Sequence, residues 1–320
     1  MNDWVQHIYC LNCGAQLDET IRFCPRCGCK NPAARDLPPY QNPNPSAPNR
    51  PSADLFMHES DKAALTALKA IPGFTPLMRA FMSVWQERQF RILNMSSNIR
   101  LSENQLPQYY NMLPPICEKL GIEVPELYLT MDVRPNAYTY GETKPFITLT
   151  SGLLDVMPDE LIPTVLAHEC GHIACSHVLY TTIGRIVFSG AASIAGIFSG
   201  LGKLASYPIQ VAYYYWKRCS ELSADRAAAI CDGDAEKTIA VCMRLAGFGK
   251  NNQADGNKEL FMQQALEYKA LVESSKWDKT LEFLMLKDCD HPFNAVRAFE
   301  CSEWVNTEQF EQVMDIYGRN

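Results

Sequence analysis

The pentapeptide His168-Glu169-Cys170-Gly171-His172 constrains this chain more than any other stretch. It reads H-E-x-x-H. Positions i and i+4 of a helix lie one above the other on one face, so both imidazoles can reach a single ion. Glu169 sits one step round the helix, close enough to touch a water activated by that metal without ligating the metal itself. This is the arrangement of metal-assisted peptide hydrolysis. The surroundings must then be helical, and Glu160 to Ala167 reads that way. Pro158, Asp159 and Glu160 suit a first turn, by fixed φ and by negative charge at the positive end of the helix dipole. Pro163 should fall near that turn, where a missing N–H matters least. The competing reading is a pair of structural histidines on an ordinary helix.

A catalytic zinc keeps three protein ligands and one open position. A third histidine downstream would need Gly at 175 and His at 178, but those positions hold Cys175 and Val178. His177 is five residues past His172 and points off the ligand face of a continuing helix, so it reads as a surface or supporting histidine. The other solution takes a glutamate from a second helix. Glu221-Leu222-Ser223-Ala224-Asp225 fits, with Glu221 as ligand and Asp225 one turn on. A carboxylate there can accept the free N–H of a ligand histidine and fix its tautomer. An ordinary charged helix is the bland alternative.

The first 31 residues carry a separate signal. Cys10-x-x-Cys13 and Cys24-x-x-Cys27 are two knuckles, each followed by a glycine, Gly14 and Gly28. Two such turns close a tetrahedral zinc site with four thiolates. The segment resembles the short zinc ribbons at the ends of many bacterial proteins. It is too short to fold on a hydrophobic core, so the metal must supply its folding energy. Cys29 could replace Cys27, although the regular spacing favours Cys27. A redox C-x-x-C would need a βαβ context that is missing. Arg22, Arg26 and Lys30 balance Asp3, Asp18 and Glu19, so there is no basic stripe and no nucleic-acid partner is expected. The ribbon's own partner stays open.

Residues 32–53 form a linker, with seven prolines between Pro32 and Pro51. It should be an extended, semi-rigid spacer, leaving 54–320 as the second domain. That domain can bury a sizeable core, since the chain is 47% hydrophobic and 20% charged. A net charge of -7 argues further against phosphate contacts. No apolar segment follows a basic start near Asp3, Trp4 and His7, so no secretory signal is expected. The 13 cysteines then read as reduced thiols and metal ligands in a cytosol.

Ala64, Leu65, Leu68 and Ile71 recur at helical spacing, ended by Pro72-Gly73. Leu77 to Ile92 and Leu106 to Leu120 read as further helices, the latter interrupted by Pro114-Pro115 and stopped at Gly121. Glu126 to Thr130 and Phe146 to Thr150 are short β-rich runs, with turn residues around Pro135-Asn136 and Gly141. An edge strand beside the zinc site could align an extended peptide; a strand that only packs is the alternative. Helices are predicted again over 237–246, 260–273, 279–286 and 292–304.

Taken in order, Pro135-Asn136-Ala137, then Phe146 to Leu154, the HECGH helix, Glu221-x-x-Ala224-Asp225-Arg226 and His291-Pro292 with Arg297 resemble the gluzincin metallopeptidases of the CAAX prenyl protease and HtpX-like heat-shock protease family. The resemblance runs from about Asp61 to Trp304. It implies His168, His172 and Glu221 as zinc ligands, Glu169 as base and Asp225 as the supporting carboxylate. It also implies that His291 or Arg297 stabilises the oxyanion, unless His291-Pro292 only opens a helix. The expected fold is α+β, mainly α, with one small sheet.

Between the two ligand helices, Ile186 to Gly202 and Leu204 to Trp216 carry no charge. Membrane members of the family place spanning segments here, but these runs are short and rich in glycine and serine. A hairpin over 183–216 that touches a membrane surface and a soluble helical hairpin both fit. Tyr213, Tyr214, Tyr215 and Trp216 suit an interface belt or a core. The reading overall is a cytoplasmic zinc endopeptidase, possibly at the inner face of the cell membrane, with a catalytic and a structural zinc and a peptide or protein substrate. The rival is a non-catalytic zinc-dependent adaptor acting through the ribbon.

Overall fold

The structure is a computed structural model that describes residues 8–9, 16–17, 52–84, 87–141, 144–187, 207–249, 256–276, 278 and 293–317. Near the start, strands β1 (Ile8–Tyr9) and β2 (Gln16–Leu17) pair antiparallel, Ile8 opposite Leu17. The rest is mainly helical around one four-stranded sheet.

Helix α1 (Glu59–Ala70) begins where the His58 ring accepts a hydrogen bond from the Ser60 N–H, and it ends before Gly73, whose φ is +96°. Asp61, Ala64 and Leu68 form its buried stripe. The predicted 77–92 helix is carried by α2 (Phe74–Val84) and α3 (Glu87–Ser97). The predicted 106–120 helix divides into α4 (Pro107–Tyr110) and α5 (Leu113–Leu120). Pro114 and Pro115 cannot donate to a preceding turn, so they fall in the first turn of α5, where no donor is needed. Gly121 then takes a left-handed φ of +73° and ends α5.

The sheet order is β3 (Ile99–Arg100), β4 (Glu126–Thr130), β6 (Phe146–Thr150), β5 (Ala137–Tyr140). β4 and β6 are parallel; the outer strands are antiparallel to their neighbours. β6 is buried along its whole length, as a central strand covered on both faces should be. The four-residue β5 lies on the edge, between the turns that the sequence signalled, and is too short and polar to announce itself.

Thr150 caps α6 (Ser151–Val156) by accepting from the Leu153 N–H. A 3-10 turn over Asp159–Leu161 leads into α7 (Ile162–Ala174), with Pro163 in its first turn. α8 (Val178–Val187) and the long α9 (Tyr207–Asp232) follow, then α10 (Glu236–Leu245), α11 (Lys258–Glu273), α12 (Asn294–Val305) and α13 (Glu308–Tyr317). The predicted helix at 279–286 lies outside the described residues.

The main core joins Leu127, Ile147 and Leu149 of the sheet to Leu166 and Cys170 of α7 and Ala227 and Ile230 of α9. A second core gathers α1, α2, α8 and α9 around Leu68, Leu77, Ile183, Ile209 and Trp216. Tyr213 and Trp216 are thus core residues, while Tyr215 is exposed. Gly184 is needed there, because a Cβ on it would run into the Tyr213 ring. Among the described residues no helix is long and apolar enough to cross a membrane.

Candidate metal centre

Helix α7 contributes His168, Glu169 and His172, and α9 contributes Glu221 and Asp225. The two helices touch at Gly171. A Cβ there would lie 2.7 Å from the Ala227 Cβ and 3.0 Å from the Ala224 Cα, so the glycine inside the HECGH stretch sets how closely the ligand helices approach. The resulting geometry converges. His168 Nε2 lies 3.2 Å from Glu221 Oε2, and His172 Nε2 lies 3.4 Å from Glu221 Oε1. Ligand atoms of all three residues lie within 4.8 Å of one another, so the group could hold a metal ion. Two imidazole nitrogens and one carboxylate oxygen are the donor set of a hydrolytic zinc site. The His168 side chain is partly open to solvent while Glu221 is closed off.

Each donor is held from behind. Asp225 Oδ1 lies 2.9 Å from His168 Nδ1. Arg297, on α12, grips Asp225 with a fork: Nε donates to Oδ2 at 2.8 Å and Nη2 to Oδ1 at 2.7 Å. Its Nη1 also lies 3.6 Å from Glu221 Oε2. Lys217, one turn before Glu221, is buried with its ammonium against Glu221 Oε1. The buried Glu169 accepts a 2.6 Å hydrogen bond at Oε2 from the Thr139 hydroxyl of β5. Glu169 is therefore tied to the edge strand of the sheet.

The metal-free electrostatics follow from these contacts. Burial opposes charge on Glu221, but Lys217 and the two histidines outweigh it and hold the carboxyl well below its usual range. Asp225 is likewise held low against burial by Arg297. Burial disfavours a charged His168, yet its contacts with Asp225 and Glu221 push it up to about 9. Burial and the Lys217 charge drive His172 the other way, well below its usual value, so it is a neutral imidazole. A neutral imidazole is the form that ligates a metal.

Residues 112–305, more than half the chain, match the sequence profile of Peptidase family M48. The chain belongs to this family. It is 30% identical over 264 residues to the plastoglobule-localized metallopeptidase 48 of Arabidopsis thaliana, covering 82% of this chain and 75% of that relative. It is also 27% identical over 191 residues to a Protease HtpX homolog of Ralstonia nicotianae, covering 52% of this chain and 65% of that one. A homolog from Ralstonia pickettii is 27% identical over 179 residues, and the chain spans 61% of that homolog's length. No solved structure matches. Membership of M48 makes the protein a metalloprotease.

Within this M48 domain, the sequence-predicted residues His168, Glu169, His172, Glu221, Asp225 and Arg297 come together. Arg297 is engaged by a carboxylate. Its shortest hydrogen bonds go to Asp225, so it braces the carboxylate behind His168. His291 and the ribbon residues Cys10, Cys13, Cys24, Cys27 and Cys29 lie outside the described residues. The seven described cysteines are free thiols.

Of the two readings of His177, supporting and surface, the geometry fits the first. The residue is fully buried, and its Nδ1 lies 3.0 Å from His172 Nδ1. The helical-wheel argument fails because α7 stops at Ala174. Lys217, Thr139 and Asp61 were not singled out at all. For Lys217 the i, i+4 spacing to Glu221 was a usable signal; a single threonine on a short strand carries none.

Proposed function

We propose that this M48 protein is a zinc endopeptidase in which His168, His172 and Glu221 hold the catalytic ion and Glu169 is the general base. The carrying observation is the convergence of the three donors with Glu169 beside them, held by Thr139. Zinc, when bound, supplies a Lewis acid that lowers the pKa of a water from about 15.7 to about 7 and polarises a carbonyl. Glu169 takes the proton of the attacking water and passes it to the leaving amine. Thr139 fixes the Glu169 carboxylate through Oε2, so that its orientation does not have to be found during the reaction. Asp225, clamped by Arg297, keeps the His168 proton on Nδ1 and its lone pair on Nε2. β5, the outer strand of the sheet next to Glu169, suits alignment of a substrate backbone in extended form.

Glu169→Gln tests this reading. The ligands are untouched, so zinc stays while peptide hydrolysis is lost. Loss of the catalytic zinc from this variant would overturn the role of Glu169.

We assign a second, structural zinc to Cys10, Cys13, Cys24 and Cys27. The antiparallel pairing of Ile8–Tyr9 with Gln16–Leu17 brackets the first knuckle and supports this. Metal analysis should give two zinc ions per chain, falling to one in a Cys10→Ser, Cys13→Ser protein. We place the enzyme in the cytoplasm with the 183–216 hairpin as its membrane-surface contact, a reading supported by the two uncharged runs on either side of Lys203 and by the plastoglobule name of one relative. Co-flotation with anionic vesicles tests it, and absence of co-flotation removes the membrane role.

A further inference from the structure

We propose that Asp61, His177 and His172 form a relay of buried polar contacts that orients the second histidine of the metal site, anchored by a carboxylate on α1, before the stretch matched by the family profile. The inference rests on the metal-site reading above.

The relay begins with the way α7 ends. Ser176 adopts a left-handed φ of +58°. The His177 N–H then reaches back to the His172 carbonyl at 2.9 Å, and the Ser176 N–H to the Ile173 carbonyl at 3.0 Å. This pair of bonds closes a Schellman turn, in which the residue after the left-handed position packs on the residue five before it. Here those two residues are both histidines, and their Nδ1 atoms meet at 3.0 Å.

Two ring nitrogens at that distance require one proton between them, one ring donating and the other accepting. His172 Nε2 lies 3.4 Å from Glu221 Oε1, and for both to hold one ion the His172 lone pair must be on Nε2 and its proton on Nδ1. His177 Nδ1 must then accept, which places the His177 proton on Nε2. That nitrogen lies 2.8 Å from Asp61 Oδ2, in a bent contact rather than a straight hydrogen bond. Asp61 is fixed in turn by Trp216, whose Nε1–H donates to Oδ1 at 2.9 Å, and by Ser223, whose hydroxyl donates to Oδ2 at 2.6 Å. The Ser223 oxygen itself accepts from the His58 N–H at 2.9 Å.

His177 and Asp61 are both fully buried, where a polar group without partners is costly. The tautomers demanded at each link agree with one another and with a metal-facing lone pair on His172. Each ligand histidine is thus supported on its far nitrogen: His168 directly by Asp225, and His172 by Asp61 through an interposed imidazole. Removing the accepting nitrogen frees the His172 ring to turn and weakens metal binding.

The test uses the full chain carrying Cys10→Ser and Cys13→Ser, stripped by chelator, so that one metal site is read. Zinc affinity is measured by competition with a fluorescent chelator, and the site is followed by the visible spectrum of bound Co(II). His177→Leu, which keeps bulk but cannot accept, should weaken zinc binding by about 10–100-fold and change the Co(II) bands. His177→Gln offers an amide oxygen to His172 and an amide N–H to Asp61, and should stay within a few-fold of the parent. Parent-like affinity and spectrum in His177→Leu overturn the relay. So does a His177→Gln protein as weak as His177→Leu, which would reduce the residue to packing. If His177→Leu is unfolded by circular dichroism, Asp61→Asn decides in its place, and parent-like affinity there overturns the relay. A parent that binds no metal sensitive to His172→Ala overturns the metal-site reading instead.

Discussion

Gly171 and Ala224 meet at the crossing of the two ligand helices, where a Cβ on the glycine would stand 3.0 Å from the alanine Cα. The separation of the histidine pair from Glu221 is therefore set by a missing side chain. Gly171→Ala gains roughly 1 kcal/mol in helix propensity, but overpacking a tight contact costs about 1–3 kcal/mol. The clash is with a helix backbone, which cannot swing aside, so it wins. A lower melting temperature and weaker zinc binding are expected together; a variant as stable and as tight-binding as the parent would show that the crossing can relax.

Glu221→Ala should impair metal binding more than Asp225→Ala. The first leaves two protein ligands, below the three that a catalytic zinc keeps. The second loosens one imidazole, typically costing roughly 10–100-fold in affinity or activity. Metal titration of both variants gives the order, and unchanged affinity in Glu221→Ala would move the third ligand elsewhere.

Arg297→Ala should behave as a stability variant. It strands the buried Asp225 carboxylate, and breaking a buried pair from one side costs about 3–5 kcal/mol. Arg297→Lys should recover little, because a single ammonium cannot reproduce the two-pronged contact. An intact urea midpoint with a collapsed kcat would instead restore Arg297 to the oxyanion.

Glu300 gives a pH signature away from the metal. Its contact with His58, together with Lys269, outweighs partial burial and lowers it to about 2. Because folding lowers this pKa from about 4.5, its contribution is present above 4.5 and is lost as the pH falls toward about 2. Glu300→Gln should flatten the dependence of stability on pH in that window and barely alter it at pH 7 to 8. Urea titrations at several pH values would show this, and parallel curves for parent and variant would refute it.

The parts of the site built from helical spacing were legible in the sequence. His168 and His172 needed only a helix, and Glu221 with Asp225 needed a second one. β4 and β6 announced themselves by their β-rich runs. What could not be read depends on where elements stop. His177 was turned the wrong way by extending α7 past Ala174, and no glycine marked the left-handed turn, because Ser176 occupies it. Asp61 was legible only as a polar residue opening a helix. Its partners Trp216 and Ser223 lie more than 150 positions away in the chain, and no local pattern encodes such a distance.

The position of Asp61 also bears on how the enzyme can be divided. The stretch matched to the family begins at residue 112 and holds all three donors and the base. A fragment cut there would keep the motif yet leave Trp216, Ser223 and His177 lining a hole where a carboxylate belongs. The border of the family profile and the border of the cooperative unit are different, and the likeness to the Arabidopsis thaliana relative, which covers 82% of the chain, takes in Asp61. Chimeras that exchange front ends between relatives would have to carry α1 along with the metal helices, or rebuild its carboxylate from another direction.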